Sequence, residues 1–561
     1  MAVSIVWTLA KISVPLLIRQ GIDDGIRGDG SLLLWSLLVV AVGCISAVCT
    51  GLRRYVAFRN ARAVEAEFRD RVYQHIQRLH FAFHDRTQTG QLMSRGNTDL
   101  QQFQNFITML PVTAANLLTV VIAAAILFWL NWGLACLALA GLPLANYFGR
   151  RFAKKLHPAV MGIQEESAQL ATVVEETIAG VRVVKGFGAE QMRADALAKE
   201  ADDVYLRSLE AANARATHLP ALELVPNIGL IAVLGYGGHQ VLNGHLAVGE
   251  LVLFNIYVVL LIQPLRMLGM MVANYQRASA AGERLASVLD TTVEIINPED
   301  PTPLPDPENA GAVTFRDVDF EYEPGEPVLR GFDLEIAAGE SVAIVGATGS
   351  GKSTVARLLP RFYDIGSGSV EVDGVSVSDV GLDELRQAIG IVFEDTFLFS
   401  SSVRDNIAFG VPDASDEVVR QAALLAGAAE FIEELPDGYD TELGERGFSL
   451  SGGQRQRVAI ARAIASDPRV LVLDDATSAV DPTKEHEIRD ALGEVMRNRT
   501  TIVIAHRAAT IALADRVVLL DEGRVSAMGT HEELLATNER YREVLAQGAA
   551  KDTANPEEGA D

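Results

Sequence analysis

Ser341-Val342-Ala343-Ile344-Val345-Gly346-Ala347-Thr348-Gly349-Ser350-Gly351-Lys352-Ser353-Thr354 is the stretch around which the 561-residue sequence can be ordered. Its first five residues are an apolar, β-branched run of strand length. A glycine-rich loop follows, then Lys352, Ser353 and Thr354 at the head of a helical pattern. Strand, G-x-x-x-x-G-K-S, helix is the order of a phosphate-binding loop. Glycines let main-chain N–H groups close around phosphate oxygens, and a helix N-terminus adds favourable partial charge. Lys352 is suited to neutralising β- and γ-phosphates, and Ser353 to ligating Mg²⁺. Gly346, Ala347, Thr348, Gly349, Ser350, Gly351, Lys352, Ser353 and Thr354 are therefore candidate ATP-binding residues, on an α/β P-loop domain.

Further strands flank this loop in the sequence. Val470-Leu471-Val472-Leu473-Asp474-Asp475 reads as a parallel strand buried on both faces and ending in two carboxylates. Thr501-Ile502-Val503-Ile504-Ala505-His506 is β-branched and ends in a histidine, and Tyr322 lies on the alternating run Phe320-Glu321-Tyr322. Between these strands lies Leu450-Ser451-Gly452-Gly453-Gln454.

Together these elements resemble the nucleotide-binding domain of ATP-binding cassette (ABC) transporters. The resemblance implies ATP with Mg²⁺ as cofactors. It implies that Asp474 holds the Mg²⁺ shell, that Tyr322 stacks on adenine and that His506 contacts the γ-phosphate. Ser451, Gly452, Gly453 and Gln454 would complete the ATP site of a second domain, so a partner half is expected. Residues 478–481 resemble the loop that crosses that interface. Residues 441–447 resemble a loop of the exporter branch that meets the intracellular loops.

Two positions depart from the family pattern. Where it usually has Glu to polarise the attacking water, this chain has Asp475. Removing one methylene draws the carboxylate back by about 1 Å, and a misplacement of that size can cost ~100-fold in rate. ATP is thus expected to bind and to hydrolyse slowly, unless a small backbone shift restores the reach. Glu394, in Ile391-Val392-Phe393-Glu394-Asp395, stands where a glutamine is usual. Its carboxylate can accept hydrogen bonds around Mg²⁺ but lacks the amide's donors. Candidate catalytic residues are Lys352, Glu394, Asp475 and His506; candidate metal ligands are Ser353, Glu394 and Asp474.

The first half of the sequence is of another kind. Apolar runs at 1–18, 31–52, 107–130, 133–149, 219–242 and 248–272 are six candidate membrane spans. Arg53, Arg54, Arg59 and Arg62 follow the second; Arg150, Arg151, Lys154 and Lys155 the fourth; Arg277 and Arg284 the sixth. Basic residues mark cytoplasmic ends, so the orientation is consistent throughout. Helical periodicity at 63–78 and 165–176 predicts long cytoplasmic extensions of the spans. Residues 83–95 and 175–190 resemble the two intracellular loops of exporters. By that resemblance short helices near 97–103 and 185–190 would press on the ATPase domains. The first span lacks the short amphipathic helix that usually precedes it in the family; the chain is either short by nature or begins downstream of the true start. No cleavable signal peptide is evident.

The predicted fold is multi-domain: an all-α six-helix transmembrane domain with cytoplasmic helical extensions (1–290), a proline-rich acidic linker (291–310), an α/β ABC domain (311–548) and a disordered acidic tail (549–561). Cys44, Cys49 and Cys136 all fall in apolar segments and read as small buried hydrophobes. Lys11, Glu223 and Arg266 are ionisable residues within spans, and such residues are functional candidates; Arg266 can snorkel to the interface, while Lys11 and Glu223 can pair with the partner subunit. A net charge of −25 argues against a nucleic-acid partner.

The expected function is ATP-driven transport through the cell membrane, with the ATPase domain cytoplasmic. The favoured assembly is one half of a heterodimeric exporter of hydrophobic, amphipathic or lipid-like cargo. A homodimer with slow Asp475 sites, an importer of the same fold and an ATP-gated channel or regulator are the alternatives.

Overall fold

The computed structural model describes residues 2–26, 30–305, 310–444, 447, 449–476, 492–496 and 499–554; the side chains at 141–146, 221–223, 225–226, 265–266, 268–269 and after 547 stand outside that description. Those of Glu223 and Arg266 are among them, as are residues 478–481, 445 and 446.

Among the described residues the six longest helices are α1 (Ala2–Asp23), α2 (Leu32–Arg78), α5 (Leu100–Leu130), α6 (Trp132–Ala179), α8 (Glu190–Leu242) and α9 (Val248–Leu289). Short helices α3 (Phe81–Arg86), α4 (Thr89–Ser94) and α7 (Val181–Gly186) connect them. With 47, 48 and 53 residues, α2, α6 and α8 far exceed the ~20 residues that cross a bilayer. The excess forms the expected helical extensions. Length and composition alone qualify α1, α2 and the run Thr89–Leu130 as spans, and Val248–Pro264 is a shorter apolar stretch.

The most apolar window of α2 has a mean hydropathy of 2.6, yet none of it is buried within the chain. Lipid, rather than a protein core, is the apolar phase such a face is built for. The cysteines follow the same rule, against expectation: Cys44 and Cys136 are exposed and only Cys49 is half-buried. Apolar composition in a span does not mean burial by protein.

Inside this unit, Ile12, Leu127, Leu134, Phe254 and Tyr257 belong to one core, and the Tyr257 hydroxyl donates to the Ile12 carbonyl at 2.7 Å. The outer ends of α1 and α9 are tied by Arg19 Nη2 to Glu250 Oε1 at 2.7 Å and by the Gly249 N–H to Asp23 Oδ1 at 2.9 Å. A Cβ on Gly249 would stand 2.5 Å from that carboxylate, so glycine is what allows the contact.

Contacts divide the chain into Met1–His75 with Gly90–Asp290, and Ile76–Thr89 with Thr291–Asp561. The second unit holds two sheets. One is antiparallel, in the order β2 (Pro327–Ile336), β1 (Val313–Glu321), β4 (Ser367–Val372), β5 (Val375–Ser376). The other runs β10 (Arg524–Gly529), β9 (Arg516–Asp521), β3 (Ser341–Gly346), β8 (Thr500–Ile504), β7 (Val470–Asp474), β6 (Ile389–Val392). It is parallel except for β9 with β10. Every residue of β3, β7 and β8 is buried, which is why these strands read as nearly unbroken apolar runs.

Expectation and structure differ at the linker and at the tail. Arg95–Asp99 is a single π-turn leading into α5, where Asp99 pairs with Arg284 and Phe103 packs edge-on against Phe68. Helix α3 belongs with the ATPase unit. Phe81 stacks on Phe362 with centroids 4.2 Å apart, Tyr363 Oη donates to the Asp85 carboxylate, and Arg86 Nη2 donates to the Tyr322 carbonyl at 3.2 Å. The linker is not merely a spacer either: Leu304 is buried in the core of β1 and β2, and its N–H donates to Glu384. The last helix, Glu539–Ala554, runs into the stretch expected to be disordered tail.

Candidate nucleotide site

β3, β7 and β8 end side by side, and a cleft of about 550 Å³ opens there. In parallel sheets ligands bind outside the carboxyl ends of the strands. The cleft is lined by Tyr322, Gly346, Ala347, Thr348, Gly349, Gly351, Lys352, Ser353, Thr354, Glu394, Asp474, Asp475 and His506. Residues separated by up to 184 positions are thereby brought to one place.

The loop is shaped for a group larger than water. Gly349 and Gly351 take φ values of 82° and 106°, which side chains of L-residues avoid. A Cβ on Gly346 would lie 2.3 Å from the Leu520 carbonyl oxygen, and one on Gly351 would lie 2.9 Å from Leu329. Ser350 Oγ is buried with no hydrogen-bond partner. Lys352 Nζ donates to the carbonyls of Gly346 and Ala347, both at 2.9 Å. An orphaned hydroxyl, a glycine cradle and a lysine held on the loop fit a polyphosphate.

The acidic side fits a divalent cation. Ser353 Oγ donates to Asp474 Oδ1 at 3.3 Å. Burial pushes the Asp474 carboxyl above the usual carboxylate range; the Ser353 hydroxyl opposes this and the Glu394 carboxylate adds to it. Two carboxylates repelling one another beside a serine hydroxyl make a hard oxygen donor set of the kind Mg²⁺ takes.

Asp475 has φ 46°, in the left-handed region where Asp is tolerated better than most residues. Its N–H donates to the Ile504 carbonyl at 2.9 Å and its carbonyl accepts from Gln456 Nε2 at 3.4 Å. Tyr322 serves the site from both ends of the residue. Its hydroxyl is 3.1 Å from Thr354 Oγ1, and its carbonyl accepts from Arg86 on α3.

Among the described residues lining the cleft, none comes from 451–454. Ser451 instead caps the helix Gly452–Ala465. Its Oγ accepts from the Gln454 N–H at 3.3 Å while Gln454 Oε1 accepts from the Ser451 N–H at 2.8 Å. This is a capping box, S-x-x-Q. Leu450 is buried in the core beneath, and Ser451 is exposed at the helix head.

Comparisons with known proteins cover nearly all of the chain. Residues 1–265 match the ABC transporter transmembrane region and residues 329–478 match the ABC transporter family. YknU, an uncharacterized ABC transporter ATP-binding protein of Bacillus subtilis (strain 168), is 37% identical over 96% of this chain and 93% of its own length. The chain belongs to the ABC transporter family.

An ATP-dependent lipid A-core flippase of Syntrophus aciditrophicus (strain SB) is 34% identical over 94% of the chain and 88% of its own length. A multidrug efflux ATP-binding/permease protein of Mycobacterium bovis (strain BCG / Pasteur 1173P2) is 38% identical over 96% of the chain, which spans only 45% of that relative. Among solved structures, a bacterial Atm1-family ABC exporter with ATP bound aligns at TM-score 0.77 and 31% identity, covering 98% of this chain and 97% of the other. This ABC protein is an exporter-type half-transporter of the membrane, with a fused cassette that couples ATP hydrolysis to transport.

Sequence patterns missed Asn406, Arg462 and Gln456. Asn406 is fully buried, accepts from the Phe399 N–H at 2.8 Å and donates to the Phe399 carbonyl at 2.9 Å. Arg462, on the helix that Ser451 caps, donates to Asn406 Oδ1 and to the carbonyls of Asn406 and Phe397. Burial pushes its guanidinium down to about 10. The loop carrying Glu394 is thereby moored to the LSGGQ helix. An isolated Asn and Arg carry no periodic signal for this.

Proposed function

We propose that this chain exports an amphipathic or lipid-like substrate as one half of a heterodimer, with a slow ATP site of its own and an intact LSGGQ segment serving its partner. The carrying observation is Asp475, a short carboxylate at the end of β7 in the same cleft as Lys352 and His506. Lys352 neutralises phosphate charge, and Ser353, Asp474 and Glu394 form the donor set for Mg²⁺. Tyr322 stacks on the base, His506 meets the γ-phosphate, and Ser451 to Gln454 meet the partner's nucleotide. The substrate class is supported by the named activities of the flippase and multidrug relatives. ATP supplies the free energy that biases the membrane half between its states.

A homodimer is the second reading, favoured by Asp475 lining the cleft at all. The chain purified alone decides between them. Substantial Mg-ATPase activity that is lost in Lys352→Ala would sink the heterodimer. Vesicles test the transport claim itself, because conductance down a gradient without ATP turnover would make the protein a channel.

A further inference from the structure

Arg53 and Lys11 of the membrane unit have no carboxylate partner among the described residues. Arg53 on α2 is 7% exposed, and its Nε and Nη1 have no hydrogen-bond partner. Its guanidinium stands 4.4 Å from the centroid of the Trp7 ring on α1. The Lys11 ammonium, one turn further along α1, stands 4.9 Å from the same centroid. No carboxylate among the described residues pairs with either. Glu65 is occupied by Arg62 and Arg69, Asp99 by Arg284, and Glu250 by Arg19.

A buried cation in such a unit is normally paired. An aromatic face attracts one cation, but it does not relieve the repulsion between two gathered around one ring. An anion does both. Arg and Lys donate to phosphate-type oxygens with charge-assisted bonds, Arg often through two N–H groups at once.

The position of the pair narrows the ligand further. Arg53 follows the second span at its cytoplasmic end, and α1 starts on that side. Both helices are apolar along their spans, with Ile5, Val6 and Leu9 of α1 and Leu52 and Val56 of α2 exposed. A charged centre between two apolar helices suits a molecule with an anionic head and an apolar body.

We propose that Lys11 and Arg53, gathered at Trp7, bind the phosphate-type headgroup of an amphipathic substrate entering from the inner leaflet. This deepens the proposed function and rests on its amphipathic-substrate reading. The shared chemistry is a phosphate oxyanion, carried by a lipid or free in solution, and the lipid-borne form is the ligand proposed.

The chain contains four tryptophans, so replacing Trp35, Trp129 and Trp132 by Phe leaves Trp7 as the sole reporter. The full chain in phosphatidylcholine nanodiscs is titrated with bromine-labelled phosphatidic acid or bromine-labelled phosphatidylcholine, and quenching of Trp7 is read. Phosphatidic acid should quench at lower mole fraction, and Lys11→Gln or Arg53→Gln should each weaken that preference ~10-fold. Arg53→Lys, which keeps the charge, should retain part of it and controls for misfolding. Equal quenching by the two lipids, or a preference unchanged in Arg53→Gln, overturns the site. Complete displacement by millimolar inorganic phosphate overturns the lipid-borne class. ATP-dependent movement of a fluorescent phospholipid is scored separately. Selective quenching without transport refutes the proposed function and leaves the site standing; transport without selectivity does the reverse.

Discussion

Asp475→Glu measures how much rate the short carboxylate costs. Glutamate carries its carboxyl carbon one C–C bond farther, about 1.5 Å. If the wild-type carboxylate falls short of the attacking water by that order, restoring the reach raises turnover at this site up to ~100-fold, about 2.7 kcal/mol off the barrier. The backbone opposes the change modestly. At φ 46° a longer side chain costs ~1 kcal/mol, and the bonds to Ile504 and from Gln456 hold the conformation in place. That cost is small beside a typical ~5–15 kcal/mol of folding stability, so the variant should fold. The assay is Mg-ATPase of the full chain alone, with Lys352→Ala as background. A wild-type rate already abolished by Lys352→Ala and not raised by Asp475→Glu refutes the reach argument.

Four other outcomes follow from the same geometry. Ser451→Ala removes the cap of the helix Gly452–Ala465 and should lower stability by ~1 kcal/mol in denaturant titration; under the heterodimer reading it also lowers ATPase of the assembled pair more than that of this chain alone. Asn406→Leu strands the Phe399 N–H and one Arg462 donor, so a loss of ~2–3 kcal/mol in unfolding free energy is expected from denaturant titration. Tyr363→Phe removes the bond to Asp85 on α3; nucleotide affinity should be unchanged while substrate-stimulated ATPase falls severalfold, and equal loss of both would show a merely structural role. Glu394→Gln takes one negative charge from beside Asp474, so ATP binding measured in EDTA should tighten severalfold, with a smaller change when Mg²⁺ is present.

Local sequence carried the cassette because its chemistry is local. A phosphate loop must have glycines where φ is positive and where a Cβ would strike Leu520 or Leu329. A strand buried on both faces must be apolar throughout. Lys352, Asp474, Asp475 and His506 could therefore be picked out singly, and the apolar runs in α1, α2 and α5 likewise, since a span's length is set by the bilayer.

Tertiary structure decided what depends on partners distant in the chain. It joined α3 to the ATPase unit, because Phe362 and Tyr363 offer Phe81 and Asp85 a matching surface. It gave Leu304 a core to enter, turned Cys44 and Cys136 outward, and tied Gln454 to its own helix. It also gathered Lys11 and Arg53 at one tryptophan, two cations 42 positions apart. Residue type and periodicity record what a segment requires of its surroundings; which segment meets that requirement depends on packing, and packing is settled only when the whole chain has folded.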